Sequence, residues 1–375
     1  MNRLACIDLL RGTVMIFMAL DHVRDFFSDA LDINPTDPER SNGPLFATRW
    51  ITHFCAPVFV LLAGIGAGLS RMSRPQGAKF LAIRGLWLVV LELTLVRLGF
   101  YFTLDFQNLE GLVIWALGWS MVLLAALQFL PRPVLLTFAL ALIFSHDAFS
   151  DRDPNVLWKI LHAHGRIDLG FATFSAPYKI IPWVGVMALG FCLASIFSLA
   201  PIRRRRIFFA IGFASILGFV LLRASNIYGD WKPWKYYPGS VEQTLMSFLN
   251  CEKYPPSLCY LLMTLGPAFT FLALFDREPG WIARRAIVFG RVPLFFYLLH
   301  LPLIHGGAVL VSQIDRGSIV PWLIAPPQDQ IKTDYGYSLG IVYAAWILTL
   351  LALYPLCVWF GEQKQSYPGG WRSYF

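Results

Sequence analysis

Residues Ala5–Phe27 read ACIDLLRGTVMIFMALDHVRDFF, an apolar run long enough to cross a bilayer as a helix. It is interrupted by Arg11 and His22, where a lipid-facing helix should carry neither. Ten residues separate the two. On an α-helix they lie eleven steps of roughly 100° apart, return to almost the same face, and stand roughly 16 Å apart along the axis. Asp8 falls on the same stripe. Ionisable groups at such depth are costly and face a bundle interior or a watery cavity, so the stripe points to function.

The composition agrees. Of 375 residues, 57% are hydrophobic and 14% charged, where a soluble chain would carry roughly a quarter charged residues. The 15% aromatic share suits interfacial belts of Trp and Tyr. A net charge of +8 could suit nucleic acid, but the basic residues gather in short loops between apolar segments. That pattern reports membrane topology and argues against a nucleic-acid partner. The six cysteines lack CxxC spacing and mostly lie in apolar runs, so packing is expected of them, not a metal site or disulfides. No cleavable signal peptide is expected, because the first apolar stretch carries charges and lacks a small-residue cleavage site.

Apolar stretches at about 5–27, 49–70, 79–102, 111–130, 134–150, 179–200, 207–224, 256–275, 287–312 and 337–360 predict an all-α polytopic bundle of about ten transmembrane helices. Arg3, Arg71, Arg74, Lys79, Arg132, Arg203–Arg206, Arg277, Arg284, Arg285, Lys364 and Arg372 fall in alternate connections. The other connections are longer and mixed or acidic: Asp29 to Glu39, Asp105 and Glu110, His146 to Lys179, Asn226 to Lys253, and Asp315 to Asp334. By the positive-inside rule both termini are cytoplasmic and the long loops face outward, in a multi-pass inner-membrane protein. The stretch NIYGDWKPWKYYPGS (Asn226–Ser240) is too rich in Pro and Gly for a helix and too aromatic for a linker. It is expected to fold over the bundle as a lid or binding surface. With no internal repeat visible, residues 1–375 read as one domain.

Within the first helix Asp8–Arg11, Asp21–Arg24 and His22–Asp25 are each spaced i,i+3 and can pair. With the N-terminus inside, Arg11 lies in the cytoplasmic half and His22 near the outer mouth, where His53 enters from the second span. His22, His53, Asp21 and Asp25 can therefore meet in one outer layer. An imidazole with a carboxylate beside it suits general-base work near neutral pH. An arginine held inside a bundle suits a phosphate, a carboxylate or a polarised carbonyl. The bland alternative is that Arg11 and Asp8 neutralise each other while His22 satisfies a backbone carbonyl.

The spacing Arg11…His22, R-x10-H, resembles the first helix of transmembrane acyltransferases. HFCAPVFVLLAGIGAGLS (His53–Ser70), IWALGWSMV, IPWVGVMALG, NIYGD, KYPPSL, GRVPLFFYLLHLPLIH and YPLCVWFGEQK look like bacterial relatives of heparan-α-glucosaminide N-acetyltransferase. These blocks run from the first helix to the tail. The resemblance implies an enzyme that takes an acyl group from cytoplasmic acetyl-CoA and delivers it to a sugar or glycan of the cell envelope on the far side. It implies a histidine near the outer face. In the lysosomal member that histidine follows the first helix in the connecting loop, whereas residues 28–52 here contain none. The role falls to His22 or His53, and the spacing favours His22. General-base transfer and a covalent acyl-histidine both remain open.

Arg291, at the start of the ninth span, reads as a CoA-phosphate ligand or a snorkelling flank residue. His300, deeper in that span, reads as structural or as part of the cofactor site. His162-x-His164 reads as a solvated face, and no metal is expected. Glu92, Arg97 and Arg84 read as braces of the third span. Asn226, Tyr228, Asp230, Lys253 and Tyr254 form an outward polar and aromatic set suited to sugar recognition. The expected partners are acyl-CoA, a sugar or glycan acceptor and the lipid bilayer, with a homodimer left open. The rival reading is a transporter or flippase for a lipid-linked sugar or acylated metabolite, since carriers also bury Arg and His. The absence of paired repeats argues against it. A non-catalytic scaffold would leave the polar stripe unexplained.

Overall fold

The computed structural model describes residues 4–149, 155–326 and 335–366. Arg3, Asp334 and Arg372, three of the loop charges behind the topology, lie outside the described residues. The chain is mostly helical. After α1 (Ala5–Phe27) come α2 (Gly43–Trp50), a 3-10 turn at Ile51–Phe54, α3 (Cys55–Gly68) and α4 (Arg74–Leu91). A π-helical turn over Glu92–Val96 leads into α5 (Arg97–Tyr101), strand β1 (Asn108–Glu110), α6 (Val113–Leu127) and α7 (Arg132–Ser145). Then follow α8 (Val156–Leu161), β2 (Arg166–Asp168), β3 (Thr173–Ser175) and α9 (Ile180–Leu193). The remainder holds α10 (Pro201–Ser225), α11 (Val241–Leu249), α12 (Leu258–Leu274), α13 (Trp281–Arg291), α14 (Pro293–Arg316) and α15 (Leu339–Ser366).

Among the described residues, six helical stretches are long and apolar enough to cross a membrane: Gly43–Gly68, Arg132–Phe149, Ile180–Ser198, Pro201–Ser225, Pro293–Arg316 and Leu339–Ser366. Helices α6 and α12 are apolar but shorter. Helix α1 has 23 residues and α4 has 18, so both have the length, but both carry more charge. In α1 that charge is enclosed, because α3, α12, α13, α14 and α15 all pack around it. Pairing inside the helix keeps it intact: Arg11 lies 3.0 Å from Asp8, and Arg24 lies 3.0 Å from Asp21.

Close packing between α1 and α13 depends on two small residues. A methyl group at Gly12 or Gly290 would collide with the backbone carbonyl of Ala286 or Asp8, respectively. Lipid tails are as apolar as leucine, so such contacts rest on backbone approach and van der Waals fit, not on water exclusion. The same approach lets Arg11 Nη1 donate to the Gly290 carbonyl at 2.9 Å. A leucine at Gly12 would part the two helices and withdraw that contact.

Two departures from the sequence expectation have local causes. The fold is not purely helical: β1, β3 and β2 form a three-stranded sheet in that order, β1 parallel and β2 antiparallel to β3. Each strand has three residues, too few for an alternating pattern to show. The expected span 287–312 is two helices, broken at Val292 (φ −130°, ψ 51°). Pro293 lacks an N–H and pushes its predecessor out of the helical region, so α13 stops and α14 starts anew.

Beyond the C-terminal end of α1, residues 28–42 clasp α11 and its flanks. Asn250 Nδ2 donates to Thr36 O at 2.8 Å, Gln243 Nε2 to Pro38 O at 3.1 Å, and Glu242 accepts from the Gly43 N–H at 2.5 Å. Buried Arg223, near the end of α10, donates to the carbonyls of Lys232, Ser247, Phe248 and Asn250. The Asn226–Ser240 stretch thus contains no helix and is pinned by hydrogen bonds, as its composition predicts.

Candidate active site

At the N-terminal end of α1 lies a cavity of about 600 Å³, lined by Arg11, Arg74, Arg84, Arg132, Arg291 and Lys364. No Asp or Glu lines it among the described residues. Arg74 and Arg132 begin α4 and α7, Arg291 ends α13, and Lys364 lies in the last turn of α15. Met15, Leu62, Leu88, Leu117 and Tyr297 supply the apolar wall. The Arg11 guanidinium is held by Asp8 and the Gly290 carbonyl, with 19% of its side chain still exposed. The volume lies in the range of small-molecule sites, roughly 300–1,000 Å³. A ring of cations over an apolar throat suits a phosphorylated ligand with a long uncharged arm.

Higher on α1, charges alternate. Arg49 Nη1 lies 2.5 Å from Asp21, Asp21 lies 3.0 Å from Arg24, and Arg24 lies 2.5 Å from Asp25. His22 stands beside this chain, its Nδ1 3.7 Å from Asp25 Oδ2 and without a hydrogen bond. Its ring abuts Phe100 edge-on, with centroids 5.2 Å apart, and His300 at 5.1 Å. His300 is fully buried; its Nδ1–H donates to the Tyr297 carbonyl at 2.6 Å, and its Nε2 has no partner. Because the Tyr297 ring is 5.4 Å from His300 and also lines the cavity, three adjacent rings lead from the cavity to His22.

His53 sits in the 3-10 turn, where its carbonyl accepts from Tyr260 Oη at 2.7 Å and its Nδ1 is unpartnered. Lys253 places its ammonium 5.1 Å from the Tyr254 ring and 5.9 Å from the Tyr178 ring. The two phenol oxygens are 3.5 Å apart. Burial pushes the Tyr254 phenol up, but Lys253 and Arg49 outweigh it and hold the group below the usual tyrosine range. Tyr178 is pushed above that range, by burial first and then by Tyr254.

This arrangement, a cationic cavity below an unbonded imidazole on one helix, coincides with a family match. The family described as "Heparan-alpha-glucosaminide N-acetyltransferase, catalytic" matches residues 3–227. The chain belongs to that family. Membership makes it an N-acetyltransferase-type enzyme, and its apolar helices make it a membrane protein. No curated protein matches the chain.

The matched residues of this heparan-α-glucosaminide N-acetyltransferase relative include Arg11, His22, Arg49 and His53; Lys253, Tyr254, Arg291 and His300 lie beyond them. Arg11 and Arg291 come together in the cavity. His300, expected with the cofactor residues, lies instead against His22. Asp21 is engaged by two arginines, so Asp25 is the carboxylate nearer the imidazole. The outward set divides. Lys253 and Tyr254 gather with Tyr178, whereas Asn226, Tyr228 and Asp230 spend their polar atoms on the loop and its neighbours. Asn226 bonds the Trp234 backbone through both amide atoms at 3.1 Å, and Tyr228 Oη donates to Phe144 O at 2.5 Å. Asp230 accepts from Lys232 N, Glu252 N and Ser257 Oγ and lies 3.6 Å from Arg223.

Other residues differ from expectation. His162 is buried, not solvated, with a ring nitrogen 3.2 Å from that of His146. Glu92 accepts from the Ile114 and Trp115 N–H groups at 2.9 and 3.1 Å and caps α6, where a helix dipole favours a carboxylate. Arg97 donates to the Thr103, Asp105 and Asn108 carbonyls, while Arg84 lines the cavity. His305 is sandwiched between Phe26 and Phe102. No cluster of three or more His, Cys, Asp or Glu suited to a metal occurs among the described residues. Arg49, Tyr178 and Tyr260 carried no sequence signal for the site. Arg74, Arg132 and Lys364 carried one, but it read as topology.

Proposed function

We propose that the protein spans the inner membrane about ten times as one domain, with both termini cytoplasmic. In this reading it moves an acetyl group from cytoplasmic acetyl-CoA to an amine or hydroxyl of a sugar or glycan on the outer side. The observation that carries the reading is vertical order along α1: the six-cation cavity surrounds Arg11, and His22 stands above it with an unbonded ring nitrogen. Arg74, Arg132, Arg291 and Lys364 take the phosphates of CoA, and the pantetheine arm runs along the apolar wall toward Tyr297.

His22 accepts the proton of the acceptor group as that group attacks the thioester carbonyl. The carbon–sulfur bond breaks, a carbon–nitrogen or carbon–oxygen bond forms, and the departing thiolate takes the proton from His22. Asp25 steadies the transient imidazolium, and general acid–base help of this kind contributes roughly 10²- to 10⁴-fold. Asp21 holds Arg24 and Arg49 so that the layer keeps its shape. Lys253, Tyr254 and His53 face the acceptor from the outer side.

The test uses the purified protein in lipid nanodiscs. Acetyl-CoA and CoA should raise the melting temperature more than adenosine 3′,5′-bisphosphate, which lacks the pantetheine arm. Radiolabelled acetyl transfer to glucosamine should fall at least 100-fold in His22→Ala while acetyl-CoA stabilisation persists. Normal turnover by a folded His22→Ala protein would remove the imidazole from the mechanism.

A further inference from the structure

Beside His22 stands a second imidazole that the reaction outlined above does not use. His300, on α14, is fully buried. Its Nδ1 lies 2.6 Å from the Tyr297 carbonyl and 3.1 Å from the Phe296 carbonyl. Carbonyls only accept, so Nδ1 carries the proton and Nε2 is left as a bare acceptor. That Nε2 is buried and has no hydrogen-bond partner. An unpaired buried acceptor is costly and calls for a reason. Solvent does not supply the missing donor, because α5 closes on α14 at this level. A methyl group at Gly99 would lie 3.3 Å from Leu301 and 3.4 Å from Pro302. Of the rings against His300, Phe296 offers no donor and Tyr297 lines the cationic cavity. The third is His22.

His22 has the complementary fault. Its Nδ1 is also buried and unpartnered. Asp25 Oδ2, at 3.7 Å, lies beyond hydrogen-bond reach. The other oxygen of Asp25 already receives Arg24 at 2.5 Å. The His22 and His300 ring centres are 5.1 Å apart, with planes inclined by 53°. Two imidazoles at that separation, turned nitrogen to nitrogen, bring those atoms to roughly 2.8 Å, a hydrogen-bond distance. One missing donor and one missing acceptor therefore sit within a ring rotation of each other.

We propose that His300 is the positioning residue of His22: its Nε2 accepts the Nδ1–H of His22 and leaves His22 Nε2 bare as the base. The proposal rests on the acetyltransferase reading and adds the group that sets the tautomer of His22. The logic is that of a base oriented by a third group, with a neutral imidazole in the usual place of a carboxylate. The bond strengthens as His22 takes up the acceptor's proton, since a hydrogen bond from a cation is roughly twice as strong as a neutral one. It therefore acts on turnover and not on donor binding. Asp25 acts on the same ring through its charge.

The test uses the full chain in nanodiscs, with radiolabelled acetyl-CoA as donor and glucosamine as acceptor. His300→Phe keeps a ring of similar size but no acceptor atom. Its kcat should fall about 10- to 100-fold, while the KM for acetyl-CoA stays within about twofold and the melting temperature within a few degrees. His300→Gln, which can present an amide oxygen, should return kcat to within about fivefold of the native protein. A packing role gives the opposite order, with phenylalanine tolerated and glutamine not; that order, or equal losses in both variants, would overturn the proposal. A second readout needs no turnover. Diethyl pyrocarbonate acylates a bare imidazole nitrogen, and at pH 8 the ordinary imidazole is neutral. Without His300 the His22 proton is free to move to Nε2. Mass spectrometry should then show His22 modified at least threefold more slowly in His300→Phe, with the native rate restored in His300→Gln. An unchanged rate would count against the bond. His300→Leu replaces the phenylalanine variant should that one fold poorly. Absence of acetyl transfer by the native protein would contradict the acetyltransferase reading, while the modification of His22 would still decide the role of His300.

Discussion

The two ends of α1 handle charge in opposite ways. Around Arg11 six cations line a cavity to which, among the described residues, no carboxylate contributes. Around His22 cations and carboxylates alternate within 3.0 Å from Arg49 to Asp25. Cations that outnumber the carboxylates lining a low-dielectric site favour an anionic ligand; a chain of alternating charges serves as rigid scaffolding. The difference teaches that a charged residue in a span acquires its meaning from its partners. On that basis we read the end of α1 near Arg11 as a binding site and the end near His22 as a frame for an imidazole.

The strongest way to break this contrast is to reverse a charge at the Arg11 end. Arg291→Glu should weaken acetyl-CoA binding about 10- to 100-fold, the loss of a charge-assisted phosphate contact. Isothermal titration would read it, and an unchanged Kd would remove Arg291 from the site. At the His22 end the two carboxylates should separate. Asp21→Asn leaves Arg49 without its carboxylate and Arg24 with Asp25 alone, and should cost about 3 kcal/mol of stability. Asp25→Asn should instead lower kcat about tenfold with little change in melting temperature. Equal losses of stability in both would erase the distinction.

A smaller effect is expected at the cover. Asp230→Asn should cost about 2 kcal/mol through the weakened Arg223 and Ser257 contacts while leaving the acceptor KM in place, whereas Lys253→Met should raise that KM. The smallest effect concerns pH. Burial, followed by His164 and Lys179, lowers the His162 pKa to about 4. Its contribution is full above its unfolded value, near 6.5, and is lost as pH falls toward 4. The melting temperature should decline over that window, and less steeply in His162→Gln.

Much of the frame was legible in the sequence. Arg11 and His22 on one face of an apolar helix marked α1 as interior, and the family match over residues 3–227 takes in the blocks from His53–Ser70 to IPWVGVMALG. The three-residue strands were not legible, because a sheet so short leaves no periodicity. The break at Val292 had a signal in Pro293 that the apolar run masked. The set from Asn226 to Tyr254 divides for a different reason. Asn226, Asp230 and Lys253 are equally polar, and only their partners divide the cover from the layer near His22. The burial of His162 depends on His146, sixteen positions earlier, a pairing that no local pattern encodes.

The account stands on transfer from one face of the membrane to the other. The direct measurement is in sealed proteoliposomes of known orientation, with radiolabelled acetyl-CoA confined to the face bearing the cationic cavity and an amino-sugar acceptor confined to the opposite compartment. The account predicts acetylated sugar in the acceptor compartment while acetyl-CoA stays outside it, and none with His22→Ala. Product formed only when donor and acceptor share a compartment would contradict it.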